Sequence, residues 1–287
     1  SNFWWFFNAA LLMIIMLIVI PKRKPAPLLL ALFLIAVALF PPLIVHFNLG
    51  QYTLWATLLL LLCPYLLKTE RYFWLGVLIA LASGKPQLLF IPFVGLVVAL
   101  YRQIGMKGFV HFGAGGLLTT LVLTIPLWLS DIQWIPDFIQ ALRNNQVWEH
   151  PSSLQVLQKI FGSSGIWLYL LLCVVIIGIT IKLWQRLPPQ QAILWSMALN
   201  LIAAPYIWTW DYVVLLPLFA YYLFRLNWVG QGLLLLVYGV IWVGMLYIQI
   251  NLSGNSYLTW WVPWVFVGGV TFSIWMSGKK GLKPITP

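Results

Sequence analysis

Charge is what this chain has least of. Only 7% of its 287 residues are Asp, Glu, Lys or Arg, where a water-soluble domain carries about a quarter. Hydrophobic residues make up 62% and the mean hydropathy is +0.95, so polar surface is too scarce to cover a globule in water. A soluble enzyme, a secreted module and a disordered protein are excluded. Cysteine is nearly absent: Cys63 and Cys173 both sit inside apolar runs, which argues against a disulfide framework. There is no Walker A motif, so ATP-driven work is not expected of this chain. CxxC, HExxH and other metal-ligand spacings are missing, as is GxSxG, and no metal site is expected. Acids do not cluster within the apolar runs, as they often do in proton-coupled transporters. The chain opens Ser1-Asn2-Phe3 with no initiator Met, which points to a longer reading frame truncated at its N-terminus.

What is abundant is apolar sequence. Eleven runs lie at about 3–20, 28–45, 52–67, 72–84, 86–101, 109–130, 165–183, 190–208, 210–226, 230–250 and 257–277. They predict an all-α polytopic membrane protein with about 11 transmembrane helices, since roughly 20 apolar residues cross the hydrocarbon. Breaks fall at Pro, Gly and charge clusters such as Pro21-Lys22-Arg23-Lys24-Pro25 and Leu187-Pro188-Pro189. No internal repeat or low-complexity tract interrupts them, so residues 1–287 read as a single transmembrane domain.

The net charge of +11 would suggest nucleic acid in a soluble chain. Here it reads as loop asymmetry, and no nucleic-acid partner is expected. If the Lys22–Lys24 loop is cytoplasmic, alternation places 13 of the 16 basic residues on that side, from Lys68, Arg71, Arg102 and Lys107 to Lys279, Lys280 and Lys283. Only Lys85, Arg143 and Lys159 remain outside, together with Asp131, Asp137, Glu149 and Asp211. Basic residues concentrate in cytoplasmic loops, so this pattern predicts a bacterial inner-membrane protein. Its tail from about 278 to 287 would be cytoplasmic, its N-terminus outside.

Two runs are too short to cross the hydrocarbon as straight helices: 72–84 and 86–101, separated by Gly84-Lys85-Pro86. At 1.5 Å per residue they supply roughly 20 and 24 Å. As a pair they predict a hairpin whose tip stops short of the outer surface, beside a wet cavity near Lys85. The longest polar stretch, 131–164, carries Trp134, Phe138, Ile139 and Leu142 and then Leu154, Leu157, Ile160 and Phe161 at helical spacing. It predicts two amphipathic helices on the outer membrane surface, joined near His150-Pro151-Ser152-Ser153.

Lys85 is the sharpest single signal, a cation on the side where cations are rare. A half-buried ammonium needs a carboxylate or a ligand phosphate; snorkelling to outer headgroups is the plainer alternative. Gln51, with His46 and Asn48 before it, can hydrogen-bond a sugar or phosphate, or simply a neighbouring helix. In the run 204–212, Trp208 and Trp210 fit either an aromatic belt or a wall for sugar rings. Asp211 fits either a helix-start charge or a partner for sugar hydroxyls. Glu149 with His150 can do acid–base work, and Arg143 can clamp phosphate; solvated loop charges are the alternative.

Taken in order, Gly50-Gln51, Arg71, Gly76, Gly84-Lys85-Pro86, Ser153-Leu154 and Pro205-Tyr206-Ile207-Trp208-Thr209-Trp210-Asp211, with Pro217 downstream, resemble glycosyltransferase family 87. That family holds the polyprenyl-phosphate-mannose-dependent mannosyltransferases, and the resemblance covers about residues 8–225. It implies a GT-C-like bundle with its site on the extracytoplasmic face and inverting transfer of a hexose, such as mannose. The donor would be a sugar on polyprenyl phosphate, the partners membrane lipid and a glycolipid, glycan or protein acceptor, with no cofactor besides the donor itself. Donor phosphate would be held by Lys85 with Arg143 or His150. Gln51, Trp208, Trp210 and Asp211 would line the sugar or acceptor pocket. The family's general base is a carboxylate in the first outer loop, which would precede Ser1; Asp211 and Glu149 are the weaker candidates within this chain. Many members carry His in place of Trp210 or Asp211. The competing class is a transporter or flippase of a lipid-linked or amphipathic solute.

Overall fold

The computed structural model describes residues 2–21, 25–144 and 149–278. Lys22, Arg23, Lys24, Lys279, Lys280 and Lys283 lie outside the described residues, as does the side chain of Arg143. Among the described residues every regular element is helical. In chain order they are α1 (Asn2–Val19), α2 (Pro27–Ala38), α3 (Pro41–Leu49), α4 (Thr53–Lys68), α5 (Tyr72–Ala82), α6 (Phe90–Ile104) and α7 (Met106–Ser130). They continue with α8 (Trp134–Asn144), α9 (Ser153–Phe161), α10 (Gly165–Arg186), α11 (Pro189–Ala203), α12 (Leu215–Leu223), α13 (Trp228–Asn251) and α14 (Val262–Ser277).

Each of the eleven apolar runs holds a helix, but membrane crossing is narrower than that count. Four helical stretches are long and apolar enough by themselves: Met106–Ser130, Ser153–Arg186, Trp228–Asn251 and Ser256–Ser277. A fifth appears if α2 and α3, bent by 51° at their junction, count as one broken span. The expected figure of about eleven is not reached on that criterion. Prolines and polar turns cut the remaining apolar sequence into helices such as α4, α5 and α6, of 16, 11 and 15 residues, short of the roughly 20 that a straight crossing needs. The outer stretch also differs in part. α9, expected to lie apart from the spans, leads through the 3-10 turn Gly162–Ser164 into α10, making a continuous 34-residue apolar stretch.

The bend between α2 and α3 shows how broken backbone is tolerated in an apolar interior. Around Pro41 and Pro42 the ladder is broken: Phe40 N turns to Val37 O and Leu43 N to Phe40 O, so Ala36 O and Leu39 O lose their i+4 donors. α13 supplies replacements: Tyr238 Oη donates to Ala36 O, and Trp242 Nε1 donates to Leu39 O at 2.9 Å. The centre of the molecule is α11 and α12, in which every residue of 192–203 and 215–223 is buried. α7 lies at the edge, with only Gly108 and Gly115 buried. It meets α5 backbone to backbone: a Cβ on Gly76 would fall 2.0 Å from Phe112 O, and one on Gly115 2.0 Å from Phe73 O. This close approach of small residues holds helices together where water provides no driving force.

Alternate turns of the chain gather at the same end. At one end Arg225 Nη1 donates to Val19 O, Arg102 Nη1 to Trp184 O, Gln103 Nε2 to Leu67 O and Asn227 Nδ2 to Ser277 O. At the other, Thr53, Lys85 and Asp211 meet, Gln87 reaches Tyr206, Glu149 reaches Asn255 and Tyr212 reaches Thr259.

Candidate active site

The 72–104 segment holds α5 and α6 joined through the 3-10 turn Pro86–Leu88, but the expected hairpin is splayed: α5 packs mainly on α4 and α7, and α6 mainly on α10 and α11. Its tip is shaped by Gly84, where a Cβ would sit 2.8 Å from the Tyr52 ring. Only the bare backbone lets the tip close on that tyrosine, whose hydroxyl donates to Leu81 O at 3.2 Å. Behind the tip, Asn200 of α11 clamps the turn from both sides. Its Nδ2 donates to Gln87 O at 2.7 Å, and its Oδ1 accepts from Ile91 N at 3.0 Å. A wholly buried amide in an apolar helix thereby bridges the Gln87 C=O and Ile91 N–H at the junction between the 3-10 turn and α6.

The tip turns Lys85 inward. Its Nζ lies 2.6 Å from Asp211 Oδ1 and donates to Thr53 Oγ1 at 2.7 Å; Thr53 Oγ1 in turn donates to the same Asp211 oxygen at 2.7 Å. Lys85 is 8% exposed and Asp211 and Thr53 are fully buried. The snorkelling alternative for Lys85 is thereby replaced by a buried ion pair. Asp211 sits on a 3-10 turn, Thr209–Val214, that precedes α12. Its second oxygen accepts from Trp208 N at 3.1 Å, while Asp211 N donates back to Trp208 O at 2.9 Å. The helix-start reading of Asp211 takes the form of a cap on this turn, and its other partner is the Lys85 ammonium. Oδ1 thus takes two donors and Oδ2 one, out of the roughly four lone-pair positions of a carboxylate.

An aromatic wall stands beside this pair. Trp208 and Trp210 stack at 4.8 Å with 14° between planes. His150 presents its ring edge-on to Trp208 at 4.5 Å and to Tyr206 at 5.0 Å. Tyr206 Oη accepts from Gln87 Nε2 at 3.3 Å, tying the wall to the hairpin tip. Burial pushes the half-buried His150 imidazole below its ordinary pKa. Glu149, one residue earlier, turns away. Its carboxylate pairs with Lys159 at 2.5 Å and accepts from Asn255 at 3.3 Å, and these contacts hold its pKa below the usual range. Gln51 is half-buried, two residues before Thr53, and its N donates to His46 O at 3.1 Å. His46 is buried against Asn8 of α1 at 3.0 Å. Among the described residues no three His, Cys, Asp or Glu side chains gather as metal ligands would.

Of the residues singled out in the sequence, the structure brings Lys85 to Asp211 and His150 to Trp208, on which Trp210 stacks. Glu149 is placed at the periphery on Lys159, and Arg143 lies outside the described side chains. Thr53, Gln87, Tyr206 and Asn200 were missed. Asn200 carried a signal, being the lone amide in the apolar stretch 192–204.

Fold and site together define a multi-pass membrane protein whose polar machinery is gathered at one end of an all-helical bundle. Comparison with known families narrows this further. The model of glycosyltransferase family 87 matches residues 1–205, more than two thirds of the chain, and the chain belongs to that family. It is therefore a membrane glycosyltransferase, and the transporter reading is not favoured. The matched region includes Gln51, Lys85 and His150, whereas Trp208, Trp210 and Asp211 fall just beyond it. No curated protein and no solved structure matches the chain.

Proposed function

We propose that this glycosyltransferase moves a hexose, with mannose the first sugar to test, from a polyprenyl-phosphate donor to an acceptor on the extracytoplasmic face of a bacterial inner membrane. The scaffold would be of the GT-C kind, with the shorter helices, α11 and α12 at the centre among them, joining the long ones in a bundle of about 11 spans. The observation that carries the reading is the buried Lys85–Asp211 pair beside an aromatic wall. In inverting transfer the acceptor oxygen attacks the anomeric carbon as the bond to phosphate breaks, and the leaving polyprenyl phosphate takes the electron pair. Cations placed where that charge develops lower the barrier. Lys85 Nζ has three protons, of which Asp211 and Thr53 use two; the third would serve a phosphate oxygen. His150 would stand at the same end as a second phosphate contact, with Arg143 as the alternative. Gln51, Trp208 and Trp210 would hold the sugar or the acceptor, stacking against ring CH faces.

Asp211 would stay paired with Lys85 and Glu149 with Lys159, with another carboxylate as the general base. The acceptor, whether glycolipid, glycan or protein, would approach from the aqueous side, and the lipid donor laterally from the bilayer. The test is transfer from labelled polyprenyl-phosphate mannose in membranes containing the full-length protein. Lys85→Ala should lower transfer per molecule of accumulated protein by about a hundredfold, the size of a lost charge contact to a developing anion, while the unpaired Asp211 carboxylate lowers the amount that accumulates. Undiminished transfer in that variant would remove Lys85 from the site.

A further inference from the structure

Three segments far apart in the chain meet at one hydroxyl. Thr53 is the first residue of α4, Lys85 the tip of the hairpin and Asp211 part of the turn after α11. Thr53 Oγ1 accepts from Lys85 Nζ and donates to Asp211 Oδ1, both at 2.7 Å, while Lys85 reaches that same oxygen at 2.6 Å. The result is a closed three-membered ring of hydrogen bonds with every member buried.

The three members differ in rigidity. A lysine ammonium rides on a flexible four-carbon stem, and here the stem starts from a tip outside any α-helix. A carboxylate alone would let it swing around the oxygen. Thr53 is β-branched, with a restricted χ1. Its carbonyl accepts from Thr57 Oγ1 at 2.8 Å, tying down the first turn of α4. The chain enters that turn through Gly50, in the left-handed region at φ +61°, where a Cβ would meet Trp4 at 2.4 Å. Thr53 is thus the stiffest of the three, and its donor and one acceptor position are both used.

We infer that Thr53 is the positioning residue of this site, fixing the Lys85 ammonium so that its remaining N–H keeps one direction. The kinetic consequence rests on the transferase reading; the effect on Lys85 itself does not. Groups that act on an anion must be held within about half an ångström by their supporting contacts, so loosening the ammonium should be felt in binding of the phosphate-bearing substrate.

The test uses the full-length protein in membranes with Thr53→Val, which keeps shape and loses the hydroxyl, and Thr53→Ser, which keeps the hydroxyl. Labelling of Lys85 by an amine-reactive reagent is measured by mass spectrometry against exposed Lys68. Thr53→Val should raise Lys85 labelling several-fold and the donor KM about tenfold, with the acceptor KM unchanged, and Thr53→Ser should restore both. If the valine variant does not accumulate, Thr53→Cys, with its weaker donor, is read in its place and should label between wild type and a fully exposed lysine. Wild-type labelling of Lys85 in Thr53→Val, or in Thr53→Cys where that variant is read, overturns the inference, as does a serine variant that behaves like valine. If labelling follows the expected pattern while no variant transfers sugar, Thr53 positions Lys85 and the transferase assignment of the site fails instead.

Discussion

Lys85 and Asp211 occupy an interior where bringing two charges from water costs several kcal/mol per ion, and where an apolar pair of similar size is often as stable. Their 2.6 Å contact therefore calls for a reason beyond holding the fold, and the proposed transfer supplies one. The two roles can be separated. Asp211→Leu alone leaves a buried ammonium unpaired and should destabilise the protein by about 3–5 kcal/mol. Adding Lys85→Met removes the orphan charge and should recover most of the melting temperature, read by tryptophan fluorescence in detergent. The double variant should still be inactive in the transfer assay; an active one would make the pair structural only. The sequence exposed half of this site. Lys85 stood out as a cation where cations are scarce, and Asp211 as an acid among aromatics. Thr53 did not, because a threonine opening a helix has the same pattern whether it caps, packs or bridges two charges. Contact between positions 53, 85 and 211 is a product of tertiary packing, and no local spacing encodes it.

At the scale of elements, the segment from 149 to 161 reaches the site through side chains. It is held by Glu149 on Asn255, by Lys159 over the Tyr257 ring at 3.8 Å, by Trp264 Nε1 donating to Ser153 Oγ at 3.2 Å, and by the His150 ring on Tyr206 and Trp208. Only His150 among these changes charge between about pH 5 and 8. Burial lowers its pKa in the docked segment, so the neutral ring is the form that docks. Docking is fully supported above the ordinary imidazole value of about 6.5 and weakens as pH falls below it, when protonation becomes coupled to release. Glu149 stays ionised through that window, since its own pKa is held down. Hydrogen exchange at residues 149–153 should therefore rise as pH is lowered from about 7 to 5.5, and His150→Phe should flatten the response. A flat profile in the wild type would contradict this. Elements as such were legible from hydropathy: the break at Gly84-Lys85-Pro86 and the two helices flanking 145–152 follow from Pro, Gly and periodicity, whereas the bend at Pro41-Pro42 lay unread inside the run 28–45. What periodicity could not reveal was that α9 runs on into α10, because a single Gly162 turn has the same composition as a loop.

For the whole molecule, sidedness is the property on which the proposed chemistry depends. Charge counting assigned Lys85 and Asp211 to the outer face, and in the structure the turns carrying them lie at one end with Gln87, Tyr206 and Thr259. Arg102 and Arg225 cap carbonyls of Trp184 and Val19 at turns of the alternate set. This separation is what a chain weaving back and forth produces, and it arises even though several helices are too short to cross unaided. Lys and Arg retained on one side hold such a chain in a single orientation, which a lipid-phosphate donor presented on only one leaflet requires. Labelling can decide the orientation directly. In a full-length protein with Cys63→Ala and Cys173→Ala, single cysteines are introduced as Gln133→Cys and Thr69→Cys, both exposed positions on alternate turns. A membrane-impermeant maleimide applied to intact spheroplasts should modify the cysteine at 133 and leave that at 69 unmodified until the membrane is opened. The reverse pattern would put the Lys85–Asp211 site on the cytoplasmic face and exclude an extracytoplasmic donor. Equal labelling at both positions would mean that the short helices do not carry the chain across between them, and the bundle of about 11 spans would fall with the alternation that supports it.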